Sequence, residues 1–324
     1  MAVDFMSEAP DIIKRFLLYM QNIKGRSPKT VDEYYIDLRT FFRYLNQARG
    51  LCDRSLDFDE IKIDNVDIDL IKSVTLREAY EFMYYLQRER GNAQAARARK
   101  TSSLRQFYKF LERDHLIESN PIKELETPKQ KKALPKYLTL EQSIELLNAV
   151  EGEYAARDYC ILTLFLNCGL RLSEMCGLNY SDIRSDNTMR VLGKGNKERV
   201  IYLNKACLNA INAYKEVRPT DDLKDRKALF ISRNHNRISP KTVQAMVYKY
   251  LEKIGLDSQG YSCHKLRHTA ATLMYQTGQV DIRVLQDILG HENLGTTEIY
   301  THLSSKQLKD ASESNPLGNI KPKI

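Results

Sequence analysis

The amino-terminal third of the chain has apolar positions at helical spacing. Apolar residues recur every three or four positions over residues 12–20 and again over residues 34–45, which places them on one face of an α-helix. Ser27 and Pro28 precede the second run and supply a capping hydroxyl and a first-turn proline. This pattern predicts amphipathic helices packed around a shared core.

Two more helices are predicted before residue 114. Thr75 and Glu78 have the spacing of a capping box and open the third helix. Asn92 is expected to cap the fourth helix, where six basic residues stand against the single acid Glu112. A run of this kind is either a solvated face or a phosphate-binding surface, and the segment alone leaves both open. Residues 50–74, between the second and third helices, are acidic and less regular.

A change in pattern marks a domain boundary. Residues 121–136 are basic, poorly periodic and interrupted by prolines, as in an interdomain linker. The sequence therefore predicts a helical domain over residues 1–120 and a second domain over residues 137–324. Thr139 and Gln142 form another capping box where the second domain begins.

The second domain alternates helical patterns with one hairpin signal. Residues 158–167 are almost entirely apolar and are followed by Gly169, which predicts a helix buried on most sides. Strand candidates at residues 189–192 and 199–203 flank a glycine-rich turn at residues 193–197. The predicted fold class is mainly α with a small β-hairpin, that is α+β.

Composition narrows the range of partners and compartments. The 324 residues are 42% hydrophobic and 28% charged, as in a globular protein. Fifty Lys and Arg against 42 Asp and Glu give a net charge of +8, which favours a polyanionic partner but is weak evidence alone. No signal peptide or membrane span is apparent, so a cytoplasmic protein is expected. The six cysteines lack CxxC and zinc-type spacing, so they are interpreted as reduced core thiols.

Several polar residues in the second domain have spacings that suit phosphate chemistry. Arg171 and Glu174 lie three positions apart at a helix start, so the carboxylate can hold the guanidinium. Lys194 lies on the glycine-rich turn, where a flexible ammonium can reach a bound ligand. The turn lacks the Gly-x-x-x-x-Gly-Lys-Ser/Thr pattern and is flanked by strands, which argues against ATP binding.

A second group lies nearer the carboxyl terminus. His264 and Arg267 are three positions apart, His291 follows a helix-ending glycine, and Tyr300 comes nine residues later. A zinc interpretation is weak because the HExxH pattern is missing. Together with Arg171 and Lys194, this group contains the cations, proton donor and nucleophile that phosphodiester transfer without a metal requires. Each residue is a weak signal alone, and the set is a strong one.

Four segments carry a family resemblance. Residues 168–174 (CGLRLSE), 193–199 (GKGNKER), 264–269 (HKLRHT) and 289–291 (LGH, before Tyr300) closely resemble the signature boxes of tyrosine recombinases, most of all the bacterial Xer type. The amino-terminal third is similar to the family's core-binding domain and the remainder to its catalytic domain. The resemblance implies a two-domain DNA clamp.

The resemblance also implies roles for single residues. Tyr300 would attack the scissile phosphate and form a 3′-phosphotyrosyl link, in a reaction that passes through a Holliday junction. Arg171 and Arg267 would clamp the non-bridging oxygens, and Lys194 would protonate the leaving 5′ oxygen. His264 and His291 would hydrogen-bond the phosphate or assist Tyr300. Glu174 would contact these catalytic groups and not the phosphate itself. His268 is expected to be a supporting core residue.

Partners follow from the same resemblance. The expected substrate is double-stranded DNA with a short inverted-repeat core site, bound by a homo- or hetero-tetramer that exchanges carboxyl-terminal tails, with no metal or other cofactor and no membrane. The residues expected to contact DNA are Arg97, Arg99, Lys100, Arg105 and Lys241. Two alternatives are a type IB topoisomerase-like relaxing enzyme and a non-catalytic DNA-binding regulator. The regulator would not explain why all the catalytic positions are occupied.

Overall fold

The computed structural model describes residues 5–128, 136–193, 197–276 and 280–290. The chain divides into two compact units, Met1–Lys132 and Ala133–Ile324. Lys194, His291 and Tyr300 lie outside the described residues. The described chain is mainly helical with a small two-stranded sheet, so the predicted fold class is confirmed.

The first unit is helical over its described residues. Its α-helices are α1 (Phe5–Glu8), α2 (Asp11–Leu18), α3 (Pro28–Ala48), α4 (Ile68–Lys72), α5 (Leu76–Arg88) and α6 (Gln94–Arg113). A π-helical turn, Tyr19–Ile23, extends α2. The core is rich in aromatic rings: Phe16 meets Phe107 edge-on at a centroid distance of 5.4 Å, and Phe41 meets Phe82 in the same way at 5.1 Å.

Local capping chemistry agrees with the sequence at two of the three helix starts for which a cap was predicted in this unit. Ser27 Oγ accepts the amide of Thr30, and Thr75 and Glu78 form a reciprocal capping box. The prediction that Asn92 caps the fourth helix is wrong. The N-cap of α6 is Ala93, which offers no side-chain acceptor, and Asn92 instead donates to the carbonyl of Arg90.

The irregular stretch between α3 and α5 contributes to the first core. Ile63, Val66 and Ile71 are buried there, and the carbonyl of Ile71 accepts the buried hydroxyl of Tyr108 at 3.1 Å. The beginning of the predicted linker behaves similarly, since Ile122 is also buried in this core. These segments are held to the first unit by burial of apolar side chains.

The second unit contains the hairpin and the remaining helices. Its elements are α7 (Leu140–Asn148), α8 (Ala155–Cys168), α9 (Leu172–Gly177), β1 (Thr188–Leu192), β2 (Glu198–Tyr202), α10 (Lys205–Val217), α11 (Pro240–Lys253), α12 (Cys263–Gln276) and α13 (Ile282–Leu289). Short 3₁₀ turns occur at Tyr180–Asp182 and Asp257–Gln259. Both strands pair antiparallel, with Val191 opposite Arg199.

Helix α8 runs through the middle of the second core. Most of its side chains are buried, as its apolar sequence predicts, and it packs against α10 and α12. Five of the six cysteines are buried, as expected of core thiols, whereas Cys52 is only partly buried and is not a core residue. In the described residues, no helix combines the length and apolar character needed to cross a membrane.

Candidate active site

The site begins where α8 ends. Gly169 closes the helix in the left-handed conformation, with φ +59°, a region that favours glycine. A Cβ atom at this position would also lie 2.7 Å from Leu289 Cδ2, so the end of α13 packs directly on this turn. The chain then places Arg171 at the N-cap of α9 and Glu174 in its first turn.

Glu174 is a buried carboxylate surrounded by arginines. Its Oε2 accepts the backbone N–H of Arg171 at 2.8 Å, and its Oε1 accepts Arg171 Nη1 at 2.7 Å. Arg199, on β2, donates Nη1 to Oε1 at 2.8 Å and Nη2 to Oε2 at 2.9 Å. Arg267 Nη1, from α12, lies 3.8 Å from Oε2. Three cations from different elements therefore meet at one carboxylate, which we call the Glu174 cluster (Arg171, Glu174, Arg199 and Arg267).

This environment keeps Glu174 ionised. Burial alone would raise its pKa, but hydrogen bonds from Arg199 and from the Arg171 backbone, with the charge of Arg199, lower the pKa to about 2. Charge-assisted hydrogen bonds to a carboxylate stabilise its ionised form and so lower its pKa. The negative charge inside the cluster is therefore present at every physiological pH.

Backbone carbonyls at two helix ends hold the same arginines. Arg267 is buried, and it donates Nη1 to Gly169 O at 2.6 Å and Nη2 to Leu289 O at 2.5 Å. Arg171 Nη2 donates to Gly290 O at 2.9 Å. The last carbonyls of a helix lack partners within the helix and carry partial negative charge. The ends of α8 and α13 thus position the guanidinium groups.

His264 lies one helical turn before Arg267 on α12 and is only partly exposed to solvent. Partial burial of the ring lowers its pKa, and the nearby positive charges of Arg267, Lys265 and Arg171 lower it further. The ring meets His268 edge-on at a centroid distance of 4.5 Å. A histidine with a lowered pKa is mostly neutral at neutral pH, so it can both donate and accept a hydrogen bond.

The matches to known proteins decide the family. The model described as Phage integrase family matches residues 136–307, and that described as Phage integrase, N-terminal SAM-like domain, matches residues 13–115. The chain is 52% identical over 309 residues to the Tyrosine recombinase XerC of Caldanaerobacter subterraneus subsp. tengcongensis, over 95% of this chain and 87% of that protein. The chain belongs to the phage integrase family. It is a Xer-type tyrosine recombinase.

Further relatives agree with this assignment. The Tyrosine recombinase XerC of Psychromonas ingrahamii is 32% identical over 305 residues, covering 94% of the recombinase described here and 95% of its relative. The fold also matches the crystal structure of the XerH site-specific recombinase bound to a palindromic difH substrate, with a TM-score of 0.68, 21% identity and 94% coverage of both chains. These matches favour a recombinase over the topoisomerase-like and regulator alternatives.

Several predicted catalytic residues of the recombinase meet in space. Arg171, Glu174 and Arg267 are drawn from two separate sequence boxes into one cluster, with His264 on the same helix as Arg267. Lys194, His291 and Tyr300 lie outside the described residues, and the catalytic roles of all six residues remain predictions. Among the described residues, no group of three His, Cys, Asp or Glu side chains is placed to hold a metal ion.

Arg199 is part of the Glu174 cluster but is not among the site residues predicted from the sequence. This residue lies opposite buried Val191 on β1, and Ile201, two positions further along β2, is also buried. Directly paired residues and alternate residues share one face of a sheet. Arg199 therefore lies on the buried face of β2, where an apolar residue is expected. This position could have indicated a role, because a charge that points into the core requires a buried partner.

The DNA contacts predicted on α6 need one correction. Lys100 is buried, and its Nζ donates to the fully buried carboxylate of Asp37 at 2.9 Å, so it is a structural cation and not a surface contact. Arg99 also donates to Asp37, at 2.7 Å, although its side chain is 42% exposed. Arg97 is half-buried and donates to Gln87. Arg105 is exposed on α6.

Lys241, the DNA contact predicted in the second unit, lies in the first turn of α11 and is exposed. Ser239 caps this helix by accepting the amide of Thr242, and Pro240 occupies its first position. Phosphate oxygens are favourable ligands for cations and amides at a helix start. The geometry leaves Lys241 accessible to a polyanion.

Proposed function

We propose that this recombinase cleaves and rejoins double-stranded DNA at a short inverted-repeat core site through a covalent bond to Tyr300. The observation that carries the proposal is the Glu174 cluster, which brings Arg171 and Arg267 together from distant positions in the chain. The XerH relative, which was crystallised on a palindromic difH substrate, supports a palindromic site.

The proposed reaction is a transesterification. The Tyr300 hydroxyl gives up its proton to His264 or His291 and its oxygen bonds to phosphorus. The bond from phosphorus to the 5′ oxygen breaks, and Lys194 gives a proton to that oxygen. Rejoining is the reverse attack by a 5′ hydroxyl. The phosphotyrosyl bond conserves the energy of the phosphodiester, so the reaction consumes no nucleotide.

The arginines supply charge stabilisation. An ordinary tyrosine has a pKa near 10, so its attack depends on cations that stabilise the phenolate and the charge developing on the non-bridging oxygens. Guanidinium groups suit this task because they remain charged and donate in a planar fork. Arg171, whose side chain is 34% exposed, is proposed to bind the scissile phosphate directly. The family resemblance gives Arg267 the same role, but its side chain is only 3% exposed, so a direct contact would require Arg267 to become exposed when DNA binds.

The histidines are proposed to complete the contacts to phosphate. The lowered pKa of His264, caused by partial burial and then by Arg267, Lys265 and Arg171, leaves it a neutral hydrogen-bonding group near neutral pH. His264 and His291 would bond the phosphate or assist Tyr300. Glu174 would act through the arginines without touching DNA, since it is buried among them.

The domain arrangement is also a proposal. We propose a clamp formed by residues 1–120 and 137–324 and joined by a linker at residues 121–136. Arg97, Arg99, Arg105 and Lys241 would contact phosphates, and Lys100 is removed from this set because it is buried against Asp37. Four protomers would assemble on two DNA sites, as a homo- or hetero-tetramer that exchanges carboxyl-terminal tails.

A nicked trapping substrate tests the nucleophile. When the short fragment beyond the cleavage site diffuses away, a covalent protein–DNA adduct accumulates and can be counted on a denaturing gel. Wild type should form this adduct in excess EDTA, because arginine and lysine side chains supply the required charges. Tyr300→Phe should bind DNA and form none, whereas Tyr202→Phe, at a tyrosine that is 84% exposed, should react like wild type. An adduct in Tyr300→Phe would assign the nucleophile to another tyrosine.

A sulfur substitution tests the general acid. General acid help is worth about 10² to 10⁴ in rate, so Lys194→Ala should cleave ordinary DNA slowly. Replacing the bridging 5′ oxygen by sulfur gives a leaving group that needs little protonation, so this variant should recover most of its rate. Arg171→Ala should not recover, because sulfur leaves the non-bridging charge in place. Recovery by Lys197→Ala instead would move the role to Lys197.

A further inference from the structure

Arg199 joins three parts of the second unit through one side chain. It lies on β2, binds Glu174 on α9 through both Nη atoms at 2.8 and 2.9 Å, and donates Nε to Ile288 O at the end of α13 at 3.0 Å. Its side chain is only 13% exposed. Arg199 is the last residue of the 193–199 box, but the sequence assigned it no role of its own, and both of its Nη atoms are bound to Glu174.

The contact with Glu174 sets the orientation of a carboxylate that Arg171 also uses. Glu174 Oε1 accepts Nη1 of both arginines, at 2.7 Å from Arg171 and 2.8 Å from Arg199. The terminal torsion of a glutamate is soft and broadly distributed, whereas a bidentate guanidinium fork fixes the plane of the carboxylate. Arg199 therefore determines the direction from which Oε1 meets Arg171.

The other anchor of Arg171 is also next to Arg199. Arg171 Nη2 donates to Gly290 O, and Gly290 packs so closely on Arg199 that a Cβ atom there would lie 3.1 Å from Arg199 Cδ. Gly290 adopts φ +62°, which favours glycine. Both acceptors that hold the Arg171 guanidinium are thus supported by the stem or the fork of Arg199.

From these contacts we infer that Arg199 is a positioning residue for strand cleavage: it holds Arg171 in its reactive orientation by fixing the Glu174 carboxylate and the end of α13. This inference rests on the proposed function of Arg171. Arg199 itself does not touch the scissile phosphate. A lysine at this position would keep the charge but lose the fork, so it separates orientation from charge.

The first experiment measures single-turnover cleavage of the nicked substrate at saturating enzyme, together with DNA affinity. Arg199→Lys and Arg199→Met should slow cleavage by about 10- to 100-fold, the range expected when a reacting group is misplaced by around an ångström, with affinity within about twofold of wild type. Arg190→Lys is the matched control, because Arg190 lies on the paired strand and binds Asp182 and Glu198, outside the Glu174 cluster. It should cleave like wild type.

The second experiment is a double-mutant cycle with Arg171→Lys. If Arg199 acts through Arg171, the Arg171→Lys/Arg199→Lys double variant should cleave no more slowly than Arg171→Lys alone. Losses that multiply would overturn the inference, as would wild-type cleavage by Arg199→Met. Wild-type cleavage by Arg199→Lys would show that charge alone suffices and would overturn the argument from the fork.

Assays at two temperatures distinguish a loss of protein stability from a loss of Arg171 positioning. Each variant is assayed at two temperatures well below its melting temperature, both verified by circular dichroism. A positioning defect should persist at the lower temperature, whereas a defect that disappears on cooling would assign Arg199 a merely structural role. Wild type controls for the proposed function: absence of a wild-type adduct would refute that function, and a normal wild type beside unaffected Arg199 variants would refute only this inference.

Discussion

Two buried carboxylates, one in each unit, are neutralised in different ways. Asp37 on α3 accepts Lys100 Nζ, Arg99 Nη1 and Ser103 Oγ, all from neighbouring turns of α6. Glu174 accepts arginines from α9 and β2, with a third arginine from α12 close by. Both satisfy the requirement that a buried charge be paired. The Asp37 cluster (Asp37, Arg99, Lys100 and Ser103) pins one helix to another, whereas the Glu174 cluster fixes the relative positions of several elements.

The basic residues of the two clusters differ in how accessible they remain to solvent. In the Asp37 cluster, Lys100 is buried and its ammonium group is bound to Asp37. In the Glu174 cluster, Arg171 keeps a third of its side chain exposed while two acceptors hold it. A cation that is oriented and still accessible suits catalysis better than one that is covered. Disrupting the first cluster should therefore cost stability, and disrupting the second should cost rate.

The largest expected effect is on folding. Asp37→Asn should destabilise the first unit by about 3–5 kcal/mol, because it leaves buried Lys100 without its counter-ion. Urea unfolding followed by circular dichroism measures this loss. Asp59→Asn, at a carboxylate that is 78% exposed beside Arg43, is the control and should lose less than about 1 kcal/mol. Equal losses of unfolding free energy in the two variants would contradict a specific stabilising role of the Asp37 cluster.

The next effect is on chemistry. Arg171→Ala should slow single-turnover cleavage by about 10² to 10³-fold, as expected for removing one donor from developing charge. Lys100→Met, assayed where it remains folded, should cleave at close to the wild-type rate when DNA is saturating. A similar rate loss in both variants would mean that the two clusters do not differ in function.

Acid should weaken the Glu174 cluster selectively. The pKa of Glu174 is about 2 in the folded protein, below its ordinary value of 4.5, so its contribution is present above pH 4.5 and is lost as pH falls towards 2. That contribution is about 3 kcal/mol. The difference in unfolding free energy between wild type and Glu174→Gln should shrink over this range. An equal trend for Glu216→Gln, at an exposed position on α10, would contradict this assignment.

The smallest effect concerns the surface of α6. Arg105 is exposed, so Arg105→Gln should remove about one phosphate contact. The slope of log affinity against log salt should then become shallower by about 0.9. Lys100→Gln should leave that slope unchanged, because Lys100 is bound to Asp37 inside the unit. Binding titrations at four salt concentrations measure both slopes. A reduced slope for Lys100→Gln would restore this lysine to the DNA-contact set.

Local chemistry explains which features could be predicted from sequence. The capping boxes at Thr75 and Thr139, the left-handed end of α8 at Gly169 and the pairing of Arg171 with Glu174 all depend on residues within a few positions of one another. The hairpin followed from its glycine-rich turn and its apolar flanks. The fold class and the family could therefore be inferred before any coordinates.

Features that depend on distant residues could not be predicted. Lys100 and Arg105 are similar in sequence context, and only the packing of α6 against Asp37 shows that the first is buried and the second is exposed. The cap expected at Asn92 failed because α6 begins at Gln94, which makes Ala93, one residue after Asn92, its N-cap. Arg199 was missed because its partner, Glu174, is 25 residues away.

Local sequence is enough to identify the groups that the recombinase possesses: helices with their caps, a basic α6, and arginines, histidines, a lysine and a tyrosine in recognisable boxes. Which of those charges meet depends on how the chain packs. Arg171, Arg199 and Arg267 converge on Glu174, and the carbonyls that end α8 and α13 hold them. The physical reason is that a buried charge is tolerated only beside its counter-charge, and that neighbour is chosen by the packing of helices far apart in the chain.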